Sequence, residues 1–157
     1  MTDVRLAWGT ATGPTETASY DAALAEAGVH DYNLVHFSSV LPEGTTLDLV
    51  GTAPTLGPVG ARLQVVEARA TARGPTTVSA GLAWATTQSG QGILYEESGE
   101  TDSETIRDHL DEGIEVGKTL RDWPFEDGGR RVATVDADED EYATAVVVAA
   151  YDEADPV

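Results

Sequence analysis

The sequence predicts a single α/β domain in which two helices pack on strands. Three observations carry that prediction. The chain has 157 residues, enough for one domain with a proper core and too few for two comfortable ones. Hydrophobic residues make up 41% of it, and they fall in short periodic runs: helical spacing in two places, strand-like runs elsewhere. No Pro/Gly/Ser-rich stretch separates these runs as a linker would.

Val4-Arg5-Leu6-Ala7-Trp8 reads as a short strand entering a Gly/Thr/Pro turn at Gly9–Pro14. Thr15-Glu16-Thr17 then offers helix caps, and Tyr20, Ala23, Leu24 and Ala27 recur at helical spacing. Gly28 supplies the achiral residue suited to a left-handed stop. Tyr32–Ser38 reads as a buried strand, with Pro42-Glu43-Gly44 as the turn beyond it. Ala61–Ala72 and Thr76–Thr86 look like a pair of strands joined through Arg73-Gly74-Pro75, and Gly92–Glu97 is a further strand. Ser103–Arg121 forms the second helix, with Ile106, Leu110, Ile114 and Leu120 on one face. Its acid comes early and Lys118 and Arg121 late, in accord with the helix dipole. Arg130–Val135 and Tyr142–Tyr151 close the chain as strands around the acidic turn Asp136–Glu141.

Charge narrows the function. Twenty-eight Asp and Glu against nine Lys and Arg leave a formal net charge of −19. That excludes binding to nucleic acid through phosphate contacts, and anchoring on an anionic membrane. The absence of cysteine excludes disulfides, thiolate catalysis and cysteine-ligated zinc. No run approaches 18 apolar residues, and no basic-then-apolar leader opens the chain, so a soluble cytoplasmic protein is expected. Lys118 is the sole lysine, and neither a pyridoxal-phosphate nor a P-loop motif surrounds it. An acidic, lysine-poor, Ala- and Val-rich composition suits a salt-filled cytoplasm. There the Debye length shrinks to roughly 3 Å at 1 M salt and screens the repulsion between carboxylates.

The segment that carries chemistry is Asn33-Leu34-Val35-His36-Phe37-Ser38-Ser39-Val40-Leu41-Pro42, an apolar strand ending in a serine pair before a proline turn. A serine pair alone is usually a turn former. Its surroundings add Asp21-Ala22-Ala23-Leu24, Ala27-Gly28, Val78-Ser79-Ala80 and Gly92-Ile93-Leu94-Tyr95-Glu96 with Gly99 beyond. Together these resemble the pyruvoyl-dependent arginine decarboxylase family. The likeness covers nearly the whole chain, and its most specific part is the Asn-Leu-Val-x-x-Ser-Ser block.

The chemistry of that block can be written out. The Ser39 hydroxyl attacks the carbonyl carbon of Ser38, turning the peptide into an ester, and β-elimination releases the Ser38 carboxylate. The dehydroalanine left at residue 39 hydrolyses to a pyruvoyl group and ammonia. The first step is uphill in an ordinary peptide, so it needs a strained, pre-organised turn and a donor for the oxyanion. Asn33, six residues before Ser39, has an amide able to donate to that oxyanion or to orient the scissile carbonyl. The resemblance gives it a part in processing or in substrate contact.

A pyruvoyl group also accounts for the missing catalytic lysine. Its ketone condenses with a substrate amine and draws electrons as carbon dioxide leaves, without pyridoxal phosphate or metal. The carbon left behind needs a proton from an acid. The Gly-x-x-x-Glu-x-x-Gly pattern at Gly92–Gly99 is similar to the family's, which makes Glu96 the candidate. Such a glutamate should have a raised pKa from partial burial. Glu97 is the alternative, on the opposite face of the strand. Asp21 matches the family position that holds the substrate side chain, and a carboxylate suits a guanidinium through paired hydrogen bonds. Without a ligand, Asp21 is simply a carboxylate favoured near a helix N-terminus.

Other residues receive plainer readings. His30, His36 and His109 are too scattered for a metal motif, and His36 reads as a strand histidine with a satisfied hydrogen bond. Trp8, Trp84 and Trp123 read as core or interface residues. The acidic run Asp136–Glu141 lacks the glycine and the glutamate spacing of a calcium loop.

The resemblance implies a four-layer α/β/β/α sandwich over 1–157, self-cleaved into chains 1–38 and 39–157 and assembled as a homotrimer. It implies decarboxylation of L-arginine to agmatine, a step in polyamine synthesis. Asp21 and Asn33 of one subunit would then meet Glu96 of a neighbour. Two alternatives stand: a pyruvoyl decarboxylase for ornithine or lysine, and an uncleaved homologue with a structural or regulatory role.

Overall fold

The computed structural model describes all 157 residues. In chain order the elements are β1 (Thr2–Gly13), α1 (Glu16–Ala27), β2 (Asn33–His36), β3 (Val40–Leu41), β4 (Thr45–Gly51), β5 (Arg62–Arg73), β6 (Thr76–Thr87), β7 (Gly92–Gly99), α2 (Ser103–Thr119), β8 (Phe125–Ala137) and β9 (Tyr142–Asp155). They form a five-stranded sheet ordered β2-β5-β9-β1-β4 and a four-stranded sheet ordered β3-β7-β6-β8. The largest apolar cluster, including Leu6, Val66, Leu82, Leu94 and Val147, lies between the sheets. A second joins α1 to the outer face of the first sheet, and a third places Ile106, Leu110 and Ile114 of α2 on the outer face of the second. The result is the four-layer α/β/β/α sandwich.

Alternation explains how one strand serves two layers. Along β1, Val4 and Leu6 enter the core between the sheets, whereas Ala7 lies under α1. Thr15 caps α1, accepting a hydrogen bond from the Ala18 amide at 3.0 Å, and Gly28 ends it at φ +80°. Asp102 caps α2 in the same way through the Thr105 amide at 2.8 Å.

Several expectations need correction. Gly9–Gly13 is strand, not turn: β1 runs on beneath α1, and a Cβ on Gly9 would run into the Ala23 carbonyl oxygen. These glycines permit close helix–strand approach. Gly9→Ala should therefore destabilise the fold by about 1–3 kcal/mol, the usual cost of overpacking, as read by urea unfolding at high salt. The strands β5 and β6, adjacent in sequence, do not pair: the two-residue link Gly74-Pro75 carries the chain from one sheet to the other. Leu120 lies beyond α2 and is 71% exposed, because Gly117 occupies the next buried place on that face, against Tyr95. The strand predicted as buried over Tyr32–Ser38 is shorter, Asn33–His36, and mostly exposed, being an edge strand paired only with β5. β4 was not anticipated: it pairs in parallel with β1 at the opposite edge and buries little.

Candidate active site

The serine pair lies where the chain leaves one sheet for the other. β2 ends at His36 in the first sheet, and β3 begins at Val40 in the second. Residues 37–39 form a strap across the shared edge of the sandwich. At its start the Phe37 amide donates to the Val65 carbonyl at 2.7 Å, and at its end the Leu94 amide donates to the Ser39 carbonyl at 2.9 Å. Ser38 is exposed, Ser39 is half-buried, and the Ser38 carbonyl accepts no hydrogen bond within the chain. The backbone strain expected here is not in a left-handed residue, since the non-glycine residues with positive φ are Asp140 and Asp152. Both ends of the strap are anchored by backbone hydrogen bonds instead.

The same anchor places Glu96. Leu94, which holds the Ser39 carbonyl, points into the core between the sheets, while Ile93 and Tyr95 pack on the α2 side. Alternation puts Glu96 on the face of Leu94 and Glu97 on the face of Tyr95. Partial burial raises the pKa of Glu96 above the usual carboxylate value. The neighbouring charge of His36 pulls it down, and the carboxylates of Glu67 and Glu97 push it up.

Beside the strap is a cluster that the sequence reading missed. Glu67 of β5 has a side chain only 6% exposed. One of its oxygens accepts the Tyr20 hydroxyl at 2.7 Å, and the other lies 2.9 Å from His36 Nε2. The Arg69 guanidinium stacks 3.6 Å over the Tyr20 ring. Burial, followed by the bond to Glu67, holds the Tyr20 hydroxyl protonated far above its ordinary range. The available signal was a lone carboxylate inside the apolar run Ala61–Ala72, which needs partners when buried. His36 has the satisfied hydrogen bond expected of it.

One chain thus sets Glu96 near His36 and Glu67, two residues along β7 from the Leu94 amide that holds Ser39. It does not add the other two candidates. Asn33 is exposed and donates through Nδ2 to the Gly60 carbonyl at 2.8 Å rather than to the scissile peptide. Asp21 is exposed on α1, where it accepts no hydrogen bond and forms no ion pair. No group of three or more His, Asp or Glu side chains converges as a metal site, and no helix is long and apolar enough to cross a membrane.

Residues 3–156 match the family described as pyruvoyl-dependent arginine decarboxylase. The chain belongs to that family. It is 49% identical over all 157 residues to a pyruvoyl-dependent arginine decarboxylase of Halobacterium salinarum, covering 98% of that relative. It is 32% identical to one of Methanopyrus kandleri over 91% of each chain, and 29% identical to one of Thermococcus sibiricus over 80% of this chain and 79% of the relative. The likeness to a protein of Halobacterium fits the halophilic composition. Membership in a pyruvoyl-dependent decarboxylase family also explains a chain with one lysine: the carbonyl is covalently held and is not pyridoxal phosphate. Ser39 is reachable, it is free of any ladder on its amide side, and the carbonyl preceding it is unbonded.

Proposed function

We propose that this chain cleaves itself between Ser38 and Ser39 into chains 1–38 and 39–157, and that the product decarboxylates L-arginine to agmatine and carbon dioxide. The observation that carries the reading is the strap: a serine pair anchored on both sides, its scissile carbonyl unbonded, and its Ser39 carbonyl held by Leu94, two residues along β7 from Glu96. The pyruvoyl ketone formed at residue 39 supplies the electron sink on which the substrate amine is held while carbon dioxide leaves.

The chain's own residues do the rest. Glu96 delivers a proton to the substrate carbon, a role supported by its position on the Leu94 face and by a pKa that partial burial raises above the usual carboxylate value. Asp21, uncommitted on α1, takes the guanidinium. Asn33 keeps one amide hydrogen and its carbonyl oxygen free for the scissile carbonyl or the substrate carboxylate. Because Asp21 and Asn33 do not contact Ser39 or Glu96 within one chain, the complete site lies between subunits of a homotrimer. The enzyme works in the cytoplasm without nucleic acid or membrane partners, a reading supported by its acid excess.

Intact mass of denatured protein, purified in high salt, tests the first claim. Chains of 1–38 and 39–157, the larger lighter by ammonia, are expected; a single 157-residue species would refute self-cleavage. Carbon dioxide release from arginine, against ornithine and lysine, tests the second, and equal turnover of ornithine would overturn the substrate assignment. Asp21→Asn should raise KM for arginine about tenfold to a hundredfold with kcat little changed, since a charge-assisted bond to a remote part of the substrate is lost.

A further inference from the structure

Tyr151, near the end of β9, touches the strap on both sides of the scissile bond. Upstream, its ring meets Phe37 edge-on, with centroids 5.1 Å apart and planes at 79°. Downstream, its hydroxyl donates to the Val40 carbonyl at 3.1 Å. The side chain is buried in the core between the sheets, on a strand whose register is set by β1 on one side and β5 on the other. Phe37, by contrast, is half-exposed at the sandwich edge and contributes little to the core. A tyrosine placed only to fill the core would not need its hydroxyl on the backbone of the one segment that changes its covalent structure.

We propose that Tyr151 is a positioning residue for self-cleavage, a clamp that holds residues 37 and 40 so that the Ser39 hydroxyl faces the Ser38 carbonyl carbon. The inference rests on the cleavage reading proposed above. In the step concerned, the Oγ–C bond forms as the C–N bond breaks, and the hydroxyl proton passes to the nitrogen; no external reactant is consumed. A nucleophile tethered to its target through the four bonds from Oγ to the Ser38 carbonyl carbon still has to select one backbone conformation, and fixing that conformation in advance is what lowers the barrier. The backbone anchors already described hold the Phe37 amide and the Ser39 carbonyl. Tyr151 adds the two contacts those bonds leave open, at the Phe37 side chain and the Val40 carbonyl. Burial pushes the Tyr151 hydroxyl up to about 12, so it remains a donor throughout the range in which the protein works.

The test follows precursor loss by intact mass, from refolding onward in high salt, for the wild-type chain, Tyr151→Phe, Phe37→Ala and a control, Val147→Ala. Val147 lies in the same core on the same strand but does not touch the strap. Tyr151→Phe and Phe37→Ala should each slow cleavage about tenfold or more, while Val147→Ala, once folded, cleaves at the wild-type rate. Hydroxylamine cleaves esters much faster than amides, so it should not hasten the variants if they stall before the ester forms. Wild-type rates in both strap variants would overturn the clamp, as would equal slowing in Val147→Ala, or rapid release of chain 1–38 from Tyr151→Phe by hydroxylamine. Should Tyr151→Phe fail to fold, Phe37→Ala decides, because Phe37 is half-exposed. A wild-type chain that stays at full length would remove the cleavage reading and the clamp with it; cleavage in the wild type and the variants alike removes the clamp alone.

Discussion

Ser39→Ala should leave the chain at 157 residues and release no carbon dioxide from arginine above background. Its methyl group has no nucleophile to attack the Ser38 carbonyl, so the peptide stays an amide and no ketone forms at residue 39. The substitution removes a single oxygen from a half-buried position that the strap holds through backbone bonds, from Phe37 to Val65 and from Leu94 to Ser39. The fold should therefore survive, and circular dichroism together with thermal unfolding in high salt would confirm it. Both readouts change together because the ketone that decarboxylation needs is itself a product of the cleavage. Intact mass decides the first and trapped carbon dioxide the second. Residual decarboxylation by a full-length Ser39→Ala chain would mean that the carbonyl group lies elsewhere.

Glu96→Gln should separate the two reactions. Glu96 makes no hydrogen bond to the strap, so the chain should still cleave, but the substrate carbon would lose its proton donor. General acids of this kind contribute about 10² to 10⁴ in rate, and kcat should fall by that amount. The pH profile carries a sign. A donor must be protonated, so wild-type activity should decline as pH rises through the Glu96 pKa, which burial raises above the ordinary carboxylate value. His36 opposes that rise, while Glu67 and Glu97 add to it. His36→Gln should accordingly move the declining limb to higher pH, and Glu67→Gln should move it lower. A Glu96→Gln enzyme with unchanged kcat, or a His36→Gln limb moving downward, would contradict the assignment. Glu97, on the α2 face, should tolerate the same change with little effect on kcat.

Much of this site was legible before folding was considered. The block from Asn33 to Ser39 and the Gly92–Gly99 pattern each combine residue types that few chemistries require together, and side-chain identity survives in a linear string. The helices were legible for a related reason: the Thr15 cap, the Gly28 stop and the apolar spacing of Ile106, Leu110 and Ile114 are local signals. What failed was non-local. Gly9 and Gly13 carry turn chemistry in isolation, yet the approach of α1 sets their role. The link Gly74-Pro75 reads as a hairpin turn, yet it changes sheets. Leu120 fits an apolar face that ends one residue too soon.

The linear chain already holds the chemical repertoire: a serine pair, carboxylates, and a strongly acidic composition without a cysteine or a second lysine. Alternation of apolar residues also specified strands and helices in nearly their observed order. Only the tertiary structure decided which of those residues meet. The strap is held at both ends because one sheet binds it through Val65 and the other through Leu94, residues separated by a change of sheet. Glu67 becomes a buried partner of Tyr20 and His36 only because α1 and β2 both reach β5. Contacts of this kind depend on the packing of whole layers. A hydrogen bond between distant residues leaves no periodic trace in the chain, whereas the periodicity that builds each layer does.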